Sequence, residues 1–366
     1  MRSFWSNLPR PFFALAPMED VTDTSFRRLV RTWSQRWGSS GPTVMFSEFT
    51  RADAAIRSTP EKPDGRLRYT AEERPLVAQI WGTRPEEFRL ASEALHALGF
   101  DGVDINMGCP AWKIRKAGAC SALIGNRRLA AELIAACREG SDLPISVKTR
   151  IGITVPETES WCRFLLEQEV EAITLHPRVA DQMSEGWADW REVRRVVDLR
   201  DRIGVPTAII GNGDVCSLEH ALRLVEQTGV EGVMIGRGIF YDPLLFARVG
   251  DTPPPSWEEI PLSDRVSYLA EHMREYHREW KGRRSFEVLK KFYRNYFLPG
   301  DSREQAILRR LYTFGTPAKA IALLREEAGL PEGPGEDLPE EDELPEDLFG
   351  EGRWSHYPEE ESVVSW

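Results

Sequence analysis

The segment Asp104-Ile-Asn106-Met-Gly108-Cys109-Pro110, followed by Lys113 and Lys116, sets a thiol and an amide side chain just beyond a short apolar run. Val103 to Ile105 has the character of a buried strand, and Gly108 with Pro110 breaks it. Asn106 and Cys109 are therefore expected on the loop at its carboxyl end. In a barrel of alternating strands and helices, that end is where chemistry is done. A thiol there can donate a proton. An isolated cysteine is more often a small buried hydrophobe, but Asn106, the Gly-Cys-Pro turn and the spaced lysines make this loop rich in polar groups and poor in packing material.

The elements needed to position such a loop recur along the chain. Short apolar runs fall at Phe13 to Ala16, Thr43 to Phe46, Leu76 to Ile80, Gly102 to Ile105, Ile145 to Lys148, Ala172 to His176, Thr207 to Gly211 and Gly232 to Ile235. Helix-like stretches such as Pro85 to Leu98, Arg128 to Arg138, Glu157 to Gln168 and Leu218 to Gln227 lie between them. Eight such units predict an α/β fold, a (β/α)8 TIM barrel closing near residue 245. A doubly wound sheet is the alternative, but it needs no eighth strand. Nearly every run ends in a polar or turn residue: Pro17 and Met18, Ser47 and Glu48, Gln79, Asn106 and Cys109, Lys148, His176, Asn212-Gly213-Asp214, and Gly236-Arg237-Gly238. Convergence on one rim argues for one site. Glycines after the seventh and eighth strands let backbone N–H groups approach phosphate, a helix start adds a favourable dipole, and Arg237 adds charge, which together select a phosphate-bearing cofactor.

At 366 residues, with 41% hydrophobic and 29% charged content, the chain has room for one large domain and a smaller one. No apolar run reaches the roughly 20 residues of a membrane span, and the start lacks the apolar core of a secretory signal, so a cytoplasmic location is expected. Cys109, Cys120, Cys137, Cys162 and Cys216 are scattered without a C-x-x-C pair, which predicts neither disulfides nor a metal site. The net charge of −11 is unevenly spread: residues 331–366 carry −12 and the remainder +1. Lys281 to Phe297 holds six Lys/Arg against one Glu, with aromatics interleaved, and reads as a local basic patch.

Asn106-Met-Gly-Cys109-Pro110-Ala resembles the signature of the tRNA-dihydrouridine synthases, flavin enzymes that reduce uridine in tRNA. Leu15-Ala16-Pro17-Met18-Glu-Asp-Val21-Thr22-Asp23 is similar to the family's opening motif, Val147-Lys148-Thr-Arg150 to its fifth-strand motif, and Asn212-Gly213-Asp214 with Gly236-Arg237 to its FMN phosphate motifs. The resemblance runs from about Phe13 to Tyr241, with a weaker echo near Leu289 to Phe297. Two places depart from the pattern. Pro177-Arg178-Val179 stands where the family commonly has a small residue and then Arg-Thr, and Cys120 stands where glycine is common.

The resemblance implies FMN across the barrel mouth, with Ala16, Pro17, Met18, Gln79, Lys148 and His176 at its ring. Asn212, Gly213, Asp214, Gly236 and Arg237 would hold its ribityl phosphate end, and NADPH would reduce it. A reduced flavin carries negative charge at N1 and O2, which a fixed Lys148 would favour. The target uridine must leave the RNA stack at a cost of a few kcal/mol. Reduction of its C5=C6 bond then needs hydride at C6 and a proton at C5. A thiol with a reference pKa of about 8.5 is mostly protonated at neutral pH, so Cys109 is the expected acid. Asn106 is expected on the uracil edge, and Lys113, Arg150 and Arg178 on neighbouring phosphates.

The implied organisation is an FMN-binding catalytic barrel over residues 1–248, a Pro-rich linker over 249–261, a helical tRNA-binding domain over 262–330 and an acidic disordered tail over 331–366. The expected partners are tRNA and NAD(P)H, with no membrane, and the chain is expected to act as a monomer. The competing reading is an FMN-dependent barrel reductase of a free pyrimidine or enone.

Overall fold

Each apolar run expected to be a strand is one in the computed structural model, which describes residues 3–250 and 252–331. The strands are β1 (Phe12–Leu15), β2 (Val44–Phe46), β3 (Leu76–Trp81), β4 (Gly102–Met107), β5 (Ile145–Arg150), β6 (Ala172–His176), β7 (Ala208–Asn212) and β8 (Gly232–Ile235). Every neighbour in this order is paired in parallel, and β8 pairs back to β1, so the sheet closes into an eight-stranded barrel. The expected (β/α)8 architecture is met. Thr50 and Arg51 add a two-residue ladder against Ile80 and Trp81, which extends the wall beyond the short β2.

Helices α1 (Thr24–Arg36), α2 (Pro85–Ala97), α3 (Arg127–Gly140), α4 (Thr158–Glu167), α5 (Trp190–Ile203) and α6 (Leu218–Thr228) follow β1 and β3 to β7. Their ends follow local rules. Asp23, Asn126 and Ser217 accept hydrogen bonds from the first-turn N–H groups of α1, α3 and α6. Gly204 and Gly229 end α5 and α6 in the left-handed conformation. The helix after β8 is only Gly238–Tyr241. One turn carries little dipole, so the expected electrostatic gain from a helix start is small there.

At the amino ends of the strands, Trp5 is buried on Phe12 and Phe46, with ring centroids 6.1 and 6.3 Å apart. Ala14, Val44, Val77, Ala172, Ala208, Ile210 and Met234 continue that cluster. Towards the carboxyl ends of β3, β4 and β5 it turns polar. Gln79, Asp104 and Ser146 are register partners across the three strands, and Asn106 faces Lys148 two residues further along. The two-residue period of a strand puts both rungs on one face.

The chain divides into two compact units, the first ending at Glu259 and the second beginning at Ile260. The Pro-rich stretch is held down within the first unit: Arg248 donates to the carbonyls of Pro254 (2.7 Å) and Pro255 (2.9 Å), and Thr252 to that of Trp37. In the second unit α7 (Leu262–Trp280), α8 (Ser302–Leu311) and α9 (Pro317–Ala328) pack around Val266, Leu269 and Met273. A buried ion pair joins Arg265 to Glu304 at 2.5 Å. The aromatics of the basic segment, Phe286, Phe292, Tyr293, Tyr296 and Phe297, are buried. They are core rather than a stacking platform, whereas Lys281, Arg283, Lys291 and Arg294 are exposed. Apart from Pro331, the acidic tail lies outside the described residues. Among those residues no helix is long and apolar enough to cross a membrane.

Trp5 fills the amino end of the barrel, so Trp5→Ala should leave a cavity and cost about 3–5 kcal/mol of stability, read from the urea midpoint.

Candidate active site

A cavity of about 300 Å³ opens at the carboxyl ends of the strands. Ten of the residues expected around a cofactor line it: Ala16, Pro17, Met18, Lys148, His176, Asn212, Gly213, Asp214, Gly236 and Arg237. Trp187, Val215, Cys216, Met234, Gly238 and Tyr241 line it too. Gly238 belongs to the glycine motif after the eighth strand, and its neighbours Val215 and Met234 could have been found by extending the motifs. Trp187 sits on the loop before α5 with no periodic signal to mark it.

Gln79 is not in this lining. It is fully buried, its Nε2 donating to Asp104 Oδ2 (2.7 Å) and its Oε1 accepting from Asn106 Nδ2 (3.0 Å). Ser146 Oγ donates to the other Asp104 oxygen at 2.6 Å, and burial pushes that carboxyl up to about 6. Asn106 Oδ1 accepts from the backbone N–H groups of Gly108 (3.0 Å) and Cys109 (2.9 Å). A hydrogen-bonded chain thus runs from β5 through β4 and β3 to the cysteine loop. Gln79, expected at the flavin ring, thus has both ends of its amide engaged by its neighbours on β4, and Asn106 keeps one amide N–H for a ligand.

Cys109 is half-buried. Its thiol lies near pH 7, lower than the sequence implied, chiefly through a hydrogen bond from the Cys120 thiol. The Ala111 N–H, Arg150 and Lys148 act in the same direction, and burial opposes them. Lys148 has no hydrogen-bond or ion-pair partner among the described residues, and burial, with repulsion from Arg150, pulls its ammonium down to about 8.

Arg150 and Arg178 were expected on RNA phosphates, but the structure buries both. Arg150 donates to the carbonyls of Gly108 (3.0 Å) and Val179 (3.1 Å), tying the cysteine loop to the loop after β6. Arg178 holds Asp214 at 2.6 Å, the Gly186 carbonyl at 2.6 Å and His176 Nε2 at 2.8 Å. A guanidinium can only donate, so Nε2 accepts and the imidazole proton sits on Nδ1. Burial, then Arg150, Lys148, Arg178 and Arg237, hold His176 well below its ordinary range, so the ring is neutral. Asp214 is occupied by Arg178 and the Ala188 N–H, with Arg237 at 3.5 Å. Its carboxylate therefore orients cations, while its neighbours offer N–H groups. Lys113 is exposed on the short helix Trp112–Lys116 that follows the cysteine loop.

These residues fit FMN. Ala16, Pro17, Met18 and Met234 provide an apolar wall for a flat ring, and the unpartnered Lys148 provides a cation. Gly213 has φ +119°, and a Cβ there would meet the His176 ring at 2.8 Å. A Cβ on Gly236 would meet only Ala16 and Met18, at 3.6 Å, so packing alone does not require glycine. A ligand lying close to this backbone would.

The comparisons with known proteins agree. Residues 14–319 match the family model described as dihydrouridine synthase. The chain belongs to the dihydrouridine synthase family. A probable tRNA-dihydrouridine synthase of Staphylococcus aureus (strain MRSA252) is 38% identical over 88% of this chain and 95% of its own length. The probable tRNA-dihydrouridine synthase 2 of Bacillus subtilis (strain 168) is 44% identical over 67% of this chain and 74% of its own. A solved structure of morphinone reductase covers 69% of this chain and 90% of its own at a TM-score of 0.46 and 14% identity, too distant to bear on function. As a dihydrouridine synthase, the protein is a flavin-dependent oxidoreductase that reduces uridine in tRNA; the family does not favour the free-pyrimidine or enone reading.

Asn106→Ala would leave the Gly108 and Cys109 N–H groups without their acceptor. It should cost about 1–3 kcal/mol in thermal or urea unfolding. Flavin content should be retained while dihydrouridine formation falls at least about tenfold.

Proposed function

We propose that this dihydrouridine synthase holds FMN in the cavity at the carboxyl ends of β1 and β5 to β8, takes electrons from NADPH, and uses Cys109 as the acid for C5 of uridine. When bound, FMN supplies the hydride for C6. The observation that carries the reading is the Asn106 side chain holding the Cys109 loop on the rim where Lys148 stands unpartnered, and the Cys109 thiol there is lowered to about 7. An acid works best when its pKa is close to the operating pH. Asn106 offers its remaining N–H to the uracil edge. Lys148 favours negative charge on the ring side, His176 offers a neutral Nδ1–H donor, and Gly213, Gly236 and Arg237 hold the phosphate end.

The second unit binds tRNA through exposed Lys281, Arg283, Lys291 and Arg294, with Lys113 reaching phosphates near the cysteine loop. Its buried aromatics support the cations from within instead of stacking on bases. The enzyme acts as a monomer in the cytoplasm, where tRNA and NADPH are available. FMN loading and NADPH oxidation by the purified protein, with dihydrouridine mapped in cellular tRNA with and without it, test the reading. A protein that takes up no FMN, or tRNA unchanged by its loss, would overturn it.

Two substitutions separate the steps. Cys109→Ala should keep FMN and its reduction by NADPH yet form dihydrouridine about 10²–10⁴-fold more slowly. Lys148→Ala should weaken FMN binding and slow its reduction, followed by visible absorbance.

The pH dependence has a definite sign. The acid must be protonated, so kcat/KM should decline as pH rises through about 7, where Cys109 titrates. It should steepen above about 8, where Lys148 loses its charge. A kcat/KM profile from pH 5.5 to 9, spanning roughly that range, checks this, and Cys109→Ala should lack the lower step.

A further inference from the structure

We propose that Trp112 is a stacking residue for the substrate RNA, its exposed ring taking the nucleobase that flanks the target uridine once that uridine has turned out of the stack. The inference rests on the reading of Cys109 as the acid, because Cys109 fixes where the uridine lies. Tryptophan is highly buried on average, yet Trp112 is 68% exposed. Its exposure belongs to a pattern. Five of the eight large hydrophobic side chains that the described residues expose, Trp112, Val155, Met183, Trp187 and Tyr241, lie on segments leaving the carboxyl ends of barrel strands. Apolar side chains gathered at one mouth mark a docking face. Cys109 stands on the same rim, on the loop that leads into Trp112.

The surroundings of the ring name its partner. The short helix Trp112–Lys116 buries none of its residues, so packing within the barrel does not explain the side chains it carries. It presents one aromatic ring and three cations, Lys113, Arg115 and Lys116, with no acid. That composition binds unpaired nucleotides, the ring stacking on a base while the cations follow the phosphates. Lys116 Nζ lies over the Trp112 ring, 4.8 Å from its centroid, which steadies the ring and leaves its other face for a base. The helix is also tied down. Arg115 pairs with Asp181 at 2.6 Å on the loop after β6. The Ala119 N–H donates to the Ile114 carbonyl at 3.2 Å, and Ser121 Oγ ties the following turn to the Cys109 carbonyl at 2.8 Å. Three residues of chain from Cys109 to Trp112 span at most about 11 Å, so a base one nucleotide from the uridine falls within reach. That base loses a stacking partner when the uridine leaves, which is part of what extrusion costs. An aromatic ring in the vacated place offsets the loss.

The test is direct tRNA binding and steady-state kinetics with tRNA, on the full-length holoenzyme. Trp112→Ala should raise KM and the dissociation constant for tRNA about ten- to a hundredfold. FMN content and melting temperature should be unchanged, because the helix buries nothing. Trp112→Tyr should recover most of the affinity, whereas Trp112→Leu, which keeps apolar area without a π face, should not. The slope of log affinity against log salt should match that of the parent in all three variants, since none removes a charge. Parent-like binding and turnover by Trp112→Ala, or leucine serving as well as tyrosine, would overturn the proposal. So would a loss of affinity accompanied by a flatter salt slope, which would assign the effect to displaced cations. If instead Cys109→Ala formed dihydrouridine normally, the acid assignment would fail while the binding comparison at position 112 stood.

Discussion

A buried carboxylate in the barrel wall holds the site together. Asp104 accepts from Ser146 and Gln79, Gln79 accepts from Asn106, and Asn106 accepts from the two N–H groups that begin the cysteine loop. Every link but the last, to the half-buried Cys109, is buried, so a broken one leaves a polar group with no water to replace its partner. The strand pairing makes the chain possible, because register places Gln79, Asp104 and Ser146 on one rung and Asn106 with Lys148 on the next. A one-residue slip would turn all five to the other face. The location of the thiol is thus a property of the barrel's hydrogen-bond ladder, transmitted through three side chains.

The cationic groups depend on that frame. Arg150 ties the cysteine loop to the loop after β6, and Arg178 ties that second loop to Asp214 after β7. Four consecutive strands, β4 to β7, are joined at their carboxyl ends by two guanidinium groups. Arg150 donates to two carbonyls and Arg178 to a carbonyl, a carboxylate and the His176 ring, which orients the rim while leaving Lys148 uncommitted. His176 owes its neutral ring and its Nδ1 proton to the same arrangement.

The barrel was legible because parallel strands covered on both faces read as continuous apolar runs, and because residues such as Gly213 and Gly238 mark places where the backbone must stay bare. Ten of eleven expected lining residues came from strand ends for that reason. Gln79 and the two arginines were harder. A polar side chain at a strand end can point at a ligand or at its neighbours, and only the register across strands decides. The aromatics from Phe286 to Phe297 raise the same difficulty on helical turns, where interleaving with Lys and Arg looks alike for a packed face and a stacking face. Spacing also could not show that Ser121 latches its turn to the Cys109 carbonyl, since that bond follows a left-handed residue and depends on a single hydroxyl.

Lys148, Arg150, Arg178 and Arg237 crowd one rim, and burial, followed by repulsion among these charges, lowers the proton affinity of Arg150 and His176. Like charges gathered in this way oppose the compact state locally. An anion that binds only the folded chain offsets that opposition and raises stability by mass action. The amount of folded enzyme in a cell is then coupled to the supply of the anion the rim accepts. A shortage of cofactor would show itself first as faster turnover of the protein, before any change in the chemistry of the molecules that remain.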